Sequence, residues 1–432
     1  MHEIFPLILE KLLLVKLFTH NTTLFLYNAL MIPVLFFSLY FLITCFRTLT
    51  LKSSPQLSIK PKIKNWPFVT IQIPTFNEIV AIRCAKKCLN FNYPSNKFEI
   101  IIGDDSNNKN VSRKIDKFAN QHPNKIKVTR RGLNVGFKAG NLNHMIKYSK
   151  GEIIIIFDSD FIPGKNFLEA IVKPFINDKK VGCVQARWGF INPNQNLVTI
   201  LASSTILFYH RIVAPLNKRF NVPLLFGSGM AIRKKNIEKL GGWQEWSLTE
   251  DVEFALKSLR NGYKTIYLDD LVVKGEVPFT VKDLKKQQKK WAYGTFNAFI
   301  DHWRGIIFGN FSINQKICII TTLLGYFSTL FLALFIIFGL VSFWTGNPEP
   351  FNIQRFLSES IRSIAISSGF LISSIIALKM ENCGKNIGKL IVSCFSVGFV
   401  VTLGICQGLI NSIIGKRMNW DMIQKKGNNL KK

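Results

Sequence analysis

Hydrophobic positions along this chain fall into two regimes. Towards both ends they run together: residues 24–45 carry no charged side chain and match the roughly 20 apolar residues that cross a bilayer, and further membrane-length candidates occupy about residues 317–344, 361–378 and 390–414. Residues 4–18 are apolar but interrupted by Glu10, Lys11 and Lys16, the pattern of a helix lying in the membrane interface. Between the ends, residues 47–315 form a polar stretch long enough to bury its own core. There the apolar positions come as short β-branched runs. Residues 68–74 predict a strand closed by proline, followed by a Thr75-Phe76-Asn77-Glu78 loop and a helix through Cys88. Residues 98–103, 125–130 and 152–157 predict three more strands, the last almost wholly apolar, as a strand buried in a parallel sheet is.

Acidic residues stand where these strands give out. Asp104-Asp105-Ser106 follows one strand and Asp158-Ser159-Asp160 another. In open α/β sheets ligands bind outside the carboxyl ends of the strands, so both groups are expected to meet in one cleft. Asp158 and Asp160 are close enough in sequence for both carboxylates to reach one hard divalent cation, Mg2+ or Mn2+, bridging a diphosphate; a solvated turn is the plainer alternative. Asp104 can accept hydrogen bonds from a nucleobase or ribose, or Asp105 and Ser106 can simply close an Asx turn. Lys138-Ala139-Gly140-Asn141-Leu142-Asn143 offers a cation and a glycine permitting close backbone approach, both suited to phosphate.

Thr249-Glu250-Asp251 precedes an amphipathic stretch. Thr249 is a candidate N-cap there, and Asp251 either favours the helix dipole or serves as the general base for an attacking hydroxyl. Gln287-Gln288-Lys289-Lys290-Trp291 supplies amides, a cation and an indole on which the C–H face of a sugar ring can rest; the other reading is a basic helix on lipid headgroups.

Charge and cysteine usage narrow the class. The net charge of +30 suits anionic lipid and a nucleotide diphosphate, and the chain lacks the alternation of aromatics with glycine and basic residues that marks an RNA-binding surface, so no nucleic-acid partner is expected. The eight cysteines form no C-x-x-C pair and argue for neither a disulfide framework nor zinc; Cys84 and Cys88 are expected in the core. Arg47, Lys52, Lys60, Lys62 and Lys64 follow the first span, whereas only Lys11 and Lys16 precede it, which places the polar domain in the cytoplasm. Three later spans would put the basic tail (Lys416, Arg417, Lys425, Lys426, Lys431, Lys432) outside, against its charge. Either one of the last apolar segments lies in the interface, or residues 317–344 are not a simple span.

Taken in order, Asp104, Asp158-x-Asp160, Thr249-Glu250-Asp251 and Gln287-Gln288-x-Lys290-Trp291, with residues 138–143, Phe226-Gly227-Ser228-Gly229 and Gly241-Gly242-Trp243, resemble the membrane synthases of glycosyltransferase family 2, the cellulose synthase superfamily, over about residues 68–294. The resemblance implies an α/β GT-A nucleotide-sugar-binding domain inserted between transmembrane helices. It also implies roles. Asp104, Lys138, Asp158, Gln287 and Lys290 would bind the donor, Asp158 and Asp160 the metal, Asp251 with Glu250 would form the catalytic pair, and Trp291, Gly227, Ser228 and Gly229 the acceptor site. The departure is Lys290 where the family usually has arginine; lysine keeps the charge and loses the bidentate fork.

The organisation expected is an interfacial helix and anchor over 1–46, a cytoplasmic catalytic domain over 47–285, interfacial helices over 286–316, transmembrane helices over 317–415 and a basic tail over 416–432. The activity implied is inverting, processive β-glycosyl transfer from a UDP- or GDP-sugar to a growing glucan- or mannan-like polysaccharide. A glycolipid synthase using a lipid acceptor is the alternative. Membrane lipid and a second copy of the chain are the expected partners, and the cell membrane, or the Golgi in a eukaryote, the expected location.

Overall fold

The computed structural model describes residues 4–50, 65–132, 134–346, 352–419, 422–425 and 427. Lys52, Lys60, Lys62, Lys64, Lys426, Lys431 and Lys432 therefore lie outside the described residues. The chain opens with a 46-residue helix, α1 (Ile4–Leu49), so the separate interfacial helix and anchor expected from the charges at positions 10–16 are one continuous element.

The polar stretch folds as β1 (Val69–Thr75), α2 (Ala81–Leu89), β2 (Phe98–Asp104), α3 (Lys109–Ala119), β3 (Ile126–Thr129), α4 (Phe137–Ile146), β4 (Ile153–Ile156), α5 (Phe167–Asn177) and β5 (Val181–Phe190). There follow α6 (Leu197–Phe208), a π-turn (Tyr209–Val213), α7 (Ala214–Arg219), β6 (Met230–Arg233), α8 (Lys234–Lys239), α9 (Glu250–Arg260) and β7 (Lys264–Gly275). The seven strands form one sheet in the order β3-β2-β1-β4-β6-β5-β7. Every residue of β1 and β4 is buried, so the sheet is covered on both faces, and each buried isoleucine of β4 contributes about 1.5–3 kcal/mol of transfer free energy.

β4 is parallel to β1 but antiparallel to β6, so the sheet is mixed. The antiparallel strand matters for function, because the start of β6 then lies beside the carboxyl end of β4. The Gly229 N–H donates to the Ile156 carbonyl (2.9 Å) and the Asp158 N–H to Ser228 Oγ (3.0 Å). β5 and β7 run parallel to each other and antiparallel to β6, so their carboxyl ends reach the same edge.

Beyond the sheet come α10 (Val281–Ile307), α11 (Ile313–Leu323), α12 (Phe327–Thr345), α13 (Ile353–Ser367), α14 (Gly369–Met380), α15 (Ile387–Phe395) and α16 (Val397–Ile413). The stretch 317–344 is broken at Leu324–Tyr326, one of the two possibilities the charge of the tail raised. Residues 361–378 and 390–414 are likewise broken, α13 from α14 by 58° and α15 from α16 by 57°. Among the described residues three helices are long and apolar enough to cross a membrane, or up to five if each bent pair is one span. One of the three, Leu197–Arg219, is 78% buried and belongs to the core of the α/β body.

Contacts set the direction of each helix. The carboxyl end of α1 meets the body, where Thr48 Oγ1 donates to the Ile212 carbonyl, while its His20 meets Ser342 at the far end of α12. The α13–α14 pair returns alongside α1, through Tyr27 with Ser363 and Ser38 with Gly369, and ends at Glu381, which pairs with Arg187 and Arg211 of the body. α16 instead packs along α10. A Cβ on Gly408 would stand 2.4 Å from the Lys289 carbonyl oxygen, and one on Gly404 would stand 3.0 Å from that of Lys285, so the two glycines let the helices meet.

Candidate active site

The strand ends, the β6 entry and two helices enclose one cavity of about 260 Å3. Its upper part is lined by Asp105, Lys138, Asp158, Asp160, Glu250 and Asp251, and its lower part by Trp188, Tyr209, His210, Phe226, Trp291 and Tyr326. Lys138 is the hub of the upper part. Its Nζ lies 2.7 Å from Asp158 Oδ1 and 3.3 Å from Glu250 Oε1, and donates to the Gly227 carbonyl at 2.8 Å. Burial alone would lower the lysine pKa, but Asp158, Glu250 and Asp251 together raise it.

Asp251 stands in the first turn of α9 against the backbone of Gly227, where an added Cβ would lie 3.0 Å from its Oδ2; with φ at +82° this position favours glycine. Desolvation, reinforced by the neighbouring Glu250 charge and opposed by Lys138, pushes the Asp251 carboxyl up to about 7. Thr249 occupies the N-cap position but makes no capping hydrogen bond, and its Oγ1 is buried without a partner. Helix capping therefore does not account for Thr249.

Most of the sequence-derived site residues meet here, and some do not. Glu250, Asp251, Lys138, Asp158, Asp160, Gln287, Lys290, Trp291 and Gly227 line the cavity. Asp104 departs from expectation: it is buried under Arg130, which reaches its Oδ2 through Nη2 (2.8 Å) and Nε (3.0 Å), and its Oδ1 accepts the Ser106 N–H in the Asx turn. Burial would raise its pKa, but bonds from Ser106, Ser112 and Arg130 hold it below the carboxylate range. Asp105, one residue on, lines the cavity instead, braced by Arg131 at 2.5 Å. Ser228 and Gly229 do not line the cavity; Ser228 supports Asp158, and its carbonyl accepts Trp188 Nε1–H at 2.8 Å. Lys290 is desolvated, which lowers its pKa, with Glu250 opposing. An anionic ligand there would oppose that shift.

Sequence reasoning missed several contributors. Lys425, from the tail, lies 2.7 Å from Asp160 Oδ1, while the Glu276 N–H donates to Oδ2 at 2.7 Å. Glu78 hydrogen-bonds Ser159, and burial raises it to about 7 against the pull of Lys425. Trp188, Phe226 and His210 form the lower wall, His210 to Phe226 at 4.4 Å between ring centroids and Trp188 to His210 at 5.3 Å. The Arg130-Arg131 pair after β3 was a readable signal for counter-ions to Asp104 and Asp105; Lys425 and His210 carried none.

Among the described residues no group of three or more His, Cys, Asp or Glu could hold a metal. A divalent cation at this site would have only Asp158 and Asp160 among these carboxylates to draw on and would need its other ligands from a diphosphate and water. Lys425 occupies Asp160 in this arrangement and would have to yield.

Residues 153–347 match the family described as Glycosyl transferase family group 2. The chain is 30% identical over 244 residues to glucomannan 4-beta-mannosyltransferase 2 of Arabidopsis thaliana, covering 54% of this chain and 46% of that protein. It is 29% identical over 243 residues to the probable glucomannan 4-beta-mannosyltransferase 9 of Oryza sativa subsp. japonica, with coverages of 54% and 46%. The chain thus spans about half the length of the curated relatives it matches. A mannosyltransferase from Pyrobaculum calidifontis, solved with GDP-Man and Mn2+, superposes with a TM-score of 0.63 at 19% identity, over 87% of this chain and 98% of that one. At that identity the likeness shows the fold, a GT-A-like mixed α/β sheet.

Proposed function

Starting from a chain that carries a glycosyltransferase family 2 domain, we propose that it transfers a sugar, mannose first among candidates, from a nucleotide-sugar donor to a growing β-linked mannan- or glucan-like polysaccharide. The observation that carries this reading is one continuous cavity, which joins a cation-and-carboxylate end to an aromatic end lined by Tyr209, Tyr326 and Thr322, at α11 and the start of α12.

In this reading Asp251 takes the proton of the acceptor hydroxyl as that oxygen attacks the anomeric carbon. One displacement with one base inverts the configuration. Lys138 and Lys290 hold the diphosphate, Asp105 faces the nucleoside and Trp291 supports the acceptor sugar. A divalent cation on Asp158 and Asp160 would neutralise the leaving diphosphate.

The contacts also support a topology. α1 runs towards the body, α12 away from it and α13–α14 back, while α15–α16 lies in the interface along α10. Three crossings then leave the tail on the catalytic side, where Lys425 reaches Asp160. The abundance of lysine and arginine at that face supports a cytoplasmic placement.

Purified protein in lipid with Mn2+ and a panel of labelled GDP- and UDP-sugars tests the reading. High-mass, glycosidase-sensitive aqueous product is expected, most strongly from GDP-mannose. Label found only in the organic phase would replace it with glycolipid synthesis.

Metal affinity gives a second check, because Lys425 and the cation compete for one carboxylate. Replacing Lys425 with Met should tighten Mn2+ binding to the donor-free protein by roughly tenfold, the scale of one partly buried charge pair. Electron paramagnetic resonance titration measures this, and an unchanged affinity would place the metal elsewhere.

A further inference from the structure

The residues lining the cavity include polar groups that the protein leaves unsatisfied. His210 Nε2, Thr249 Oγ1 and Gln287 Oε1 are each buried without a hydrogen-bond partner, and all three residues line the same space. A buried polar atom without a partner costs about 1–3 kcal/mol; Thr249 Oγ1 packs against Gly294 of α10, which leaves His210 and Gln287 as the groups a ligand in the chamber would satisfy. Flat rings between them, Trp188, Phe226 and Trp291, suit the C–H faces of a polyhydroxylated ring better than an acyl chain.

His210 is the deepest of the three and the most rigidly held. It sits in the π-turn between α6 and α7, a feature often found at functional sites. The Tyr267 hydroxyl donates to the His210 carbonyl at 2.8 Å, and its oxygen lies 3.1 Å from Nδ1. The Trp188 N–H donates to Nδ1 at 3.4 Å. Neither contact uses Nε2, which is left without a partner. Burial, with the Arg187 charge nearby, drives the ring pKa down to about 3, so the imidazole is neutral at any working pH.

Resting on the polysaccharide reading above, we propose that His210 Nε2 hydrogen-bonds a hydroxyl of the acceptor's second sugar, making His210 a specificity-determining residue of an inner acceptor subsite. The spacing supports this. Asp251 abuts Gly227, the preceding residue Phe226 extends the wall inward, and the His210 ring lies against Phe226. The first acceptor sugar belongs at Asp251 and Trp291, and the next one at Phe226, His210 and Trp188. A lipid acceptor would leave Nε2 unpaired.

The test is binding of mannotriose and cellotriose to the full-length protein in lipid nanodiscs, followed by tryptophan fluorescence. Binding of at least one trisaccharide is expected, with His210→Phe weakening it about tenfold while GDP affinity is unchanged. Equal affinity in the variant, or no binding of either sugar to the unaltered protein, would overturn the proposal. Because His210→Phe also removes the Tyr267 contact, a second measurement uses the unaltered protein labelled with 15N-histidine. A buried Nε2 resonance should shift on adding trisaccharide, and no shift would again overturn it. Neither readout needs turnover, so His210-dependent binding without transfer from any donor would sink the catalytic reading alone. Transfer with His210-independent binding would sink only the subsite.

Discussion

Replacing Asp251 with Asn is expected to lower glycosyl transfer by about 10²- to 10⁴-fold, the range a positioned general base supplies, while nucleotide binding stays close to that of the unaltered protein. The separation follows from position. Asp251 lies against Gly227, and the cations proposed above to hold the diphosphate are Lys138 and Lys290. The same carboxyl sets a pH dependence. With its pKa raised to about 7 by burial and by Glu250, it is half ionised there, and the rate should fall about tenfold per unit below. Stability runs the other way. Both states are protonated at low pH; between 3.8 and about 7 the unfolded chain ionises while the native carboxyl stays protonated, so native stability falls with rising pH and levels off above. At about pH 8 the Asn variant, which cannot ionise, should be at least as stable as the unaltered protein. Thermal melting together with a donor-binding titration checks both halves. Undiminished turnover would remove Asp251 from the base role.

What the sequence could show followed the range of the interactions involved. Three of the four strands of the first half were legible because each is a short apolar run that ends in its own motif, and Asp158 and Asp160 stand where β4 ends for that reason. The antiparallel β6 was not legible. Residues 230–233 carry too few positions for a pattern, and their direction is set by the long excursion through α6 and α7. Asp104 and Asp105 were distinguishable only by knowing which one Arg130 covers, a matter of side-chain direction between adjacent residues. Lys425 looked like one more charge in a basic tail, because nothing local ties it to Asp160, 265 residues away. The helix breaks at Leu324–Tyr326, Ser368 and Ser396 fall in runs whose average stays apolar, so hydropathy passes over them. The orphaned Nε2 of His210 is a property of a cavity, and cavities have no sequence signature.

Lys138 ties these threads together, and its removal is the second large effect. Lys138→Met should lower the melting temperature by on the order of 10 °C, since leaving a buried ion cluster without its counter-charge costs about 3–5 kcal/mol. Three carboxylates depend on it: Asp158 at 2.7 Å, Glu250 at 3.3 Å, and Asp251, whose raised pKa Lys138 holds in check. Without the cation, Asp251 should bind its proton more tightly, so the alkaline rise in rate should move to higher pH. A merely structural lysine would not produce that shift. Lys138→Arg should recover much of the stability but little of the donor affinity: Nζ stands 3.2 Å from the Cβ position of Gly227 and donates to its carbonyl, leaving a planar guanidinium no room to keep both contacts. Mn2+, which supplies positive charge to the same carboxylates, should restore part of the melting temperature of Lys138→Met. If Mn2+ does not, and the pH profile stays in place, the carboxylates are stabilised by something other than Lys138, and the placement of the diphosphate between Lys138 and Lys290 falls with it.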